Sequence, residues 1–586
     1  MAHYERLIRN GRIIDGTGGP IFNGSIALSE GRIVDIGELA DATADDVIDA
    51  GGKIVAPGYV TQHAHYDAAL FWSPHCMDSG EHGVTTILNA NCGFSIAPVR
   101  PQDRERTMAM LSTTEQIPVE QQRIALSWDW ETFPEYLELV RSLPKSVNIL
   151  TYLPVNPLLI YVMGIEGAKS RRPTADEMAQ MHRIINEAMD HGAIGISMSV
   201  MGMDGNSHLD FDGTAMPTDA MHDDDIVALC QALVDRGEGV IQMLARIGGF
   251  GNPDITEKVA RAAKGSGVRV IHNIFLAVDG VPEMIDADLA WLDGLRAEGL
   301  DVIGATLLHA GWVEAGIKDL DTAAGQLWGV RKIIACKSDD EVRALLADKD
   351  FVEHFSSDYE TTGPGNGAGG LEEQIIITIG DNPDLAPYVG RTLRSIAEEN
   401  GVSVVTTLCD LALRSDLALQ IKSTPYSALD ATLGARLMAH PAVAAGVSDG
   451  GAHTKAFSSG CYATEMIIRM VREQKVLTLE QIHYQLSFKV ARCLHLRDRG
   501  ALLPGFWADL IIYDLDDLYI DRSQHKIVHD LPGGDWRRVV DSGGYSRVLV
   551  NGETTFVDGK ATHATPGTLL PANDTNAFIA HATAAE

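Results

Sequence analysis

Between Pro57 and Arg499 the chain repeatedly alternates a short apolar run with a longer stretch that mixes polar and apolar residues. SVNILTYLP, GAIGISMSV, GVIQML, GVRVIHNIF, LDVIGATLL, GVSVVTT and VAAGVSD are the strand candidates, and Thr174–His191, Asp224–Arg236 and Ile255–Lys264 are among the helical intervals. A strand without polar alternation must be covered on both faces, which a parallel sheet flanked by helices achieves. So many repeats favour a closed barrel over an open doubly wound sheet. The expected fold class is therefore α/β, with a barrel over residues 57–499.

The ends of the chain follow another rhythm. Arg6–Ile14, Ser25–Ile36 and Asp46–Ala56 are short runs broken by Asn10-Gly11, Glu30-Gly31 and Gly51-Gly52, as in hairpin strands. ADLIIYDLDDL and SRVLVNGETTFVDGK repeat the pattern near the carboxyl end. Each piece alone would leave strand edges and an apolar face uncovered. Residues 1–56 and 500–566 are thus expected to pair into one small β-domain. Asp340–Glu399, with YETTGPGNGAGGLEEQ in its middle, has little strand character and reads as an insertion or a long active-site loop. The Ala- and Thr-rich tail, 567–586, reads as a loosely packed end.

Eighty Asp and Glu residues against 47 Lys and Arg give a formal net charge of −33, which repels nucleic acid and anionic membranes at long range. A small-molecule substrate is expected instead, and a bound metal can invert the local field for an anionic one. MAHYERLIRNGRIIDGTGG lacks the apolar stretch of a signal peptide, and no later segment has the roughly 18 apolar residues of a membrane span. Seven dispersed cysteines without a CxxC pair read as reduced thiols, so the cytoplasm is the expected compartment. No Gly-x-Gly-x-x-Gly or Walker-type loop follows a strand, which removes the usual anchor for a nucleotide cofactor. Helix-bearing barrels commonly form homo-oligomers, but no segment marks an interface.

APGYVTQHAHYDAALFW carries the sharpest chemical signal. A strand runs into His63 and His65, whose spacing of two projects both imidazoles from one face toward a common point. Such a pair suits zinc, and a barrel keeps its site at the carboxyl ends of its strands; two surface histidines at a strand end are the alternative. In GVTTILNANCGFSIAP a strand delivers Cys92, either as a further ligand or as a small buried hydrophobe. His272 in GVRVIHNIF is a ligand or a satisfied core histidine. Asp449, in AAGVSDGGAH, follows a small-residue strand and precedes two glycines that permit close approach. It is a ligand or general base beside activated water, or else part of a helix N-cap. His453 is near enough to line the same mouth.

Taken in order, NGRIIDGTG, PGYVTQHAHYD, HGVTTILNANCGFSIAP, GAIGISMSV, VIHN, GVSDGGAH, LHLRDRGALLPGFWADLIIYD and VLVNGETTFVDGK resemble the amidohydrolase superfamily, in its D-aminoacylase and N-acyl-D-amino-acid deacylase branch. The resemblance covers nearly the whole chain. It implies a distorted (β/α)8 barrel with a small β-sandwich built from both termini. It also implies metal binding by His63, His65, Cys92, His272 and Asp449, with Cys92 in the place of a carboxylated lysine and Asp449 as general acid/base. The reaction implied is cleavage of an amide-type C–N bond by metal-activated water.

Two departures from the family pattern bear on this. Where the family has a metal-binding histidine after its fifth strand, GEGVIQMLARIGG offers Gln242 and no histidine. The expected cofactor is accordingly one zinc per chain, with two as the alternative. Where the deacylases carry a lysine that holds the substrate carboxylate, this chain has Ile274, and Arg246 is the candidate replacement. Gln242, Arg246 and His453 are the expected substrate contacts. Loss of a charge-assisted hydrogen bond weakens selection for a free carboxylate. Esters, lactones and cyclic imides therefore stand as alternative substrates, and a catalytically degenerate barrel serving as a scaffold stands as the alternative outside enzymes.

Overall fold

The computed structural model describes residues 2–203, 208–247, 250–320, 327–363, 369–423 and 428–571. Eight parallel strands form its central layer. β1 runs Tyr59–Thr61 and resumes at His63–Ala64; β2 is Val84–Asn89; β3 is Asn148–Thr151 and Leu153–Pro154; β4 is Gly195–Ser199. β5 is Val240–Leu244, β6 Arg269–Leu276, β7 Val302–Leu307, and β8 Val443–Ala444 resuming at Val447–Gly450. Each strand pairs in parallel with the next, and Val447 of β8 pairs with His63 of β1. The domain is TIM-barrel-like, with ladder breaks that divide it into separate sheets.

The breaks have local substitutes. At Gln62 the backbone N–H donates to Gly446 O at 2.9 Å, while its Nε2 donates to Ala444 O at 2.8 Å and Ala445 O at 3.0 Å. A side-chain amide thus ties β1 to two carbonyls at the break in β8. The strands β2, β4 and β5 are buried at every residue, their Thr, Ser, Asn and Gln included, as strands covered on both faces are. Outside them lie helices such as Ala175–Asp190, whose start is set by a Thr174–Glu177 capping box and whose Met181, Ile185, Ala188 and Met189 form the buried stripe.

Strands from the two ends of the chain share one nine-stranded sheet. Ile54–Pro57 lies antiparallel to Leu510–Tyr513, joining amino-terminal strands His3–Ile13, Phe22–Ser29, Arg32–Gly37 and Thr43–Asp49 to carboxyl-terminal Tyr545–Val550, Glu553–Val557 and Lys560–Ala561. Ile8, Ile13 and Ile26 meet Leu510, Ile512 and Leu549 in a common core. Neither half could bury these side chains alone.

Of the two readings of Asp340–Glu399, an insertion or a long active-site loop, the loop is not what the structure shows between β7 and β8. Strands Glu314–Gly316, Ile375–Ile379 and Leu419–Lys422 and helices including Asp339–Ala347, Lys349–Thr362 and Leu393–Asn400 enclose a core of their own. GVSVVTT, read as a strand, begins the helix Val404–Arg414: Ser403 caps it, and Val405, Leu408, Cys409, Leu411 and Ala412 are buried at helical spacing. Residues 364–368 within YETTGPGNGAGGLEEQ lie outside the described residues.

The start of the expected loose tail is also packed. Thr568 O accepts from Ile149 N and Leu570 N donates to Ile149 O, both at 2.8 Å, with Leu569 and Leu570 buried. The remaining 572–586 lie outside the described residues. No helix among the described residues is long and apolar enough to cross a membrane.

Candidate metal centre

At the carboxyl ends of β1, β2 and β8 three short stretches converge. His63 lies in β1, and His65 follows with its backbone N–H bonded to Gly450 O at 2.8 Å. Cys92 follows β2 in a turn where Ala90 and Cys92 take φ of 60° and 56°. Asp449 and His453, on and after β8, are left-handed too, at 57° and 54°. Non-glycine residues in this region cost of order 1–3 kcal/mol each and persist only where surrounding contacts hold them. Here those contacts are visible. Cys92 N–H donates to Gln242 Oε1 at 2.9 Å, Gly93 N–H to Ser197 Oγ at 3.1 Å, and Ala90 N–H to Asp67 Oδ2 at 3.1 Å. Gly451, at φ 90°, passes so near β1 that a Cβ would stand 2.8 Å from the His65 carbonyl carbon.

The outcome is a tight set of donors. Nε2 of His65 is 3.3 Å from Nε2 of His63, which is 3.4 Å from Cys92 Sγ, and ligand atoms of all three lie within 4.8 Å of one another. Asp449 Oδ1 stands 3.4 Å from His63 Nε2 and 3.3 Å from His65 Nε2. The His63 and His65 side chains are 6% and 4% exposed, whereas Asp449 is 32% exposed and forms the open side.

Burial holds His63 down to about 3 and pushes the Cys92 thiol up to about 11. Burial also raises Glu115 to about 7. His65 is raised despite its burial because Glu115 and Asp449 face it. Asp449 is lowered despite burial by its bond to His65 and the nearby His63. Two imidazole nitrogens and a sulfur converge at one buried point, and an ionised carboxylate oxygen stands against both imidazoles from the open side; these are donor types that zinc takes.

The other expected residues are distributed differently. Gln242 reaches the site through the Cys92 backbone, and its Nε2 has no hydrogen-bond partner among the described residues. His272 is not brought to the cluster. Ser197, Gln242 and Ile271 are register partners, as are Leu244 and Asn273, whereas His272 pairs with Met243. Alternation therefore turns Asn273 inward and His272 toward the helices. There its Nδ1 lies 2.9 Å from Thr256 Oγ1 and its ring 4.8 Å from that of Trp291. Arg246 is engaged by the buried carboxylate of Asp288 rather than by the cluster. His453 does line the mouth, with Nε2 4.0 Å from Asp449 Oδ2 and 3.9 Å from Glu115 Oε2.

Three residues near the cluster had no sequence signal. Glu115, just past the helix Arg104–Thr114, places Oε2 3.6 Å from His65 Nδ1. Asn273 sets its carboxamide 2.5 Å from His63 Nδ1. His208 interacts electrostatically with His453, Asp449 and His65. Strand parity could have marked Asn273, but only with the β5–β6 register in hand.

The sequence pattern of the amidohydrolase family matches residues 46–353. The N-acyl-D-glutamate deacylase of Alcaligenes xylosoxydans xylosoxydans is 27% identical over 572 residues, covering 97% of this chain and 96% of that protein. Among solved structures, D-aminoacylase superposes with a TM-score of 0.65 at 20% identity, covering 97% of this chain and all 100% of its own. The N-acyl-D-glutamate deacylase of Bordetella bronchiseptica, complexed with zinc and a phosphonate inhibitor, gives 0.64 at 22% identity over 97% of this chain and 99% of that one. The structural likenesses establish a shared fold; with the match over more than half of its length, the chain belongs to the amidohydrolase family.

Proposed function

We propose that the protein is a zinc-dependent hydrolase that cleaves an amide-type C–N bond, in an N-acyl amino acid or related amide, at the mouth of a distorted (β/α)8 barrel. The observation that carries this reading is the placement of Asp449: one carboxylate oxygen reaches both histidines, and the side chain is the open edge of an otherwise buried donor set. His63, His65, Cys92 and Asp449 would hold one metal ion. When bound there, zinc supplies Lewis acidity toward the scissile carbonyl and the attacking water.

The chain's own residues do the rest. Asp449, ionised because the neighbouring histidines hold its carboxyl low, takes the proton of the attacking water and returns it to the leaving nitrogen. His453 lines the same mouth and is placed to contact substrate. Gln242 holds the Cys92 backbone, and through it the thiol, in position. Since Arg246 is committed to Asp288 and Ile274 carries no charge, neither offers an anchor for a free carboxylate. Neutral amides, esters, lactones and cyclic imides therefore belong in the assay beside N-acyl-D-amino acids.

Purified protein is expected to hold about one zinc per chain. Asp449→Asn is expected to lower kcat by roughly 10²–10⁴-fold, the usual worth of a general acid–base group, while the unfolding transition and most bound zinc are retained. Turnover that survives both complete metal removal and this substitution would sink the mechanism; a metal-free, inactive protein of unchanged stability would favour a scaffold.

A further inference from the structure

The Asn273 carboxamide raises a question of proton placement. Its nitrogen faces Nδ1 of His63 at 2.5 Å, while its Oδ1 is buried without a hydrogen-bond partner among the described residues. A ring nitrogen that accepts from Asn273 leaves the imidazole proton on Nε2. That is the atom 3.4 Å from Cys92 Sγ and 3.4 Å from Asp449 Oδ1, where a metal needs a lone pair. A half-turn of the carboxamide reverses the arrangement. Oδ1 then accepts from Nδ1–H, the buried oxygen gains its partner, and Nε2 is free to ligate. Ligating histidines generally donate their other ring N–H to an oxygen in this way, which fixes both tautomer and ring orientation.

We infer that Asn273 is the positioning residue of His63, acting through its amide oxygen to hold the Nδ1-protonated tautomer that a metal on Nε2 requires. The fold places the carboxamide for this role. β6 turns Asn273 inward at the level of Leu244 and turns the adjacent His272 out to Thr256 and Trp291, so the carboxamide, not the histidine, occupies the inner face. Glu115 Oε2, 3.6 Å from Nδ1 of His65, stands in the matching position for the second imidazole. The inference rests on the zinc reading of the site.

The oxygen-specific role separates two substitutions. Asn273→Asp keeps an acceptor and removes the possibility of donation; Asn273→Leu has a similar shape and offers neither. Zinc binding to the full-length protein is read by competition with a chromophoric chelator, and the unfolding temperature of the metal-free forms controls for folding. Asn273→Asp is expected to bind zinc as tightly as the unsubstituted protein, and Asn273→Leu about 10–100-fold more weakly. Tight binding by Asn273→Leu overturns the inference, as does loss of binding by Asn273→Asp, since a donor role would then be indicated. If the Leu variant does not fold, the Asp variant decides alone. Failure of the unsubstituted protein to bind zinc would overturn the zinc reading itself, and this inference with it.

Discussion

Removing the Cys92 sulfur is the most direct probe of the donor set. Cys92→Ala deletes one of four converging donor groups, His63, His65, Cys92 and Asp449, and leaves a backbone turn that Gln242 and Asp67 still hold. Four-donor zinc sites have apparent binding free energies of about 10–16 kcal/mol, or roughly 2.5–4 kcal/mol per donor if shared evenly. At 1.4 kcal/mol per tenfold, zinc affinity should fall by roughly 60- to 700-fold. The assay is zinc competition at fixed pH, with cobalt substitution as a second readout, because thiolate ligation produces a charge-transfer absorption that alanine cannot. A Cys92→Ala protein that binds zinc as tightly as the unsubstituted one, or keeps that absorption, would refute the assignment of the sulfur. Loss of binding accompanied by loss of the folded state would point to packing, since Cys92 is itself buried.

Two further outcomes test the surrounding architecture. Glu314 is buried, accepts from Arg538 Nη1 and Trp312 Nε1 at 2.9 Å each, and is held down to about 2; burial acts against this, but His525 outweighs it. A carboxyl lowered from its ordinary value of 4.5 contributes stability above that pH and loses it as pH falls toward 2, so the stability deficit of Glu314→Gln in urea unfolding should be largest at neutral pH and shrink below pH 4.5; a deficit that grows with acidification would contradict this sign. Phe355 is fully buried in the core between β7 and β8, and Phe355→Ala should cost about 3–5 kcal/mol there. Limited proteolysis should then cut within residues 314–422 while zinc affinity is preserved, and an equal loss of zinc would show that this unit and the barrel-like domain unfold together.

Much of the architecture was legible because it depends on local pattern. Short, mainly apolar runs in β4 to β7 signalled buried parallel strands, and the hairpin rhythm at both ends signalled sheet strands with faces left uncovered. The spacing of His63 and His65 fixes a shared side-chain direction whatever the wider fold. Where local pattern and tertiary context diverge, the reading shifted: GVSVVTT has the composition of a strand, yet the Ser403 cap and the core beneath it make the segment helical.

The sequence by itself determined which donor types were available and that β1, β2 and β8 would deliver them near strand ends. Only the tertiary structure decided which of two adjacent residues on β6 faces inward. The reason is that side-chain direction reverses at every residue of a strand, so a register set by pairing with β5 admits Asn273 and excludes His272. Glu115 illustrates the same limit. It follows a helix in the long excursion after β2, and nothing in its local sequence separates it from a solvated acid; it becomes a partner of His65 only because the fold returns that helix end over the barrel mouth and buries the carboxylate there.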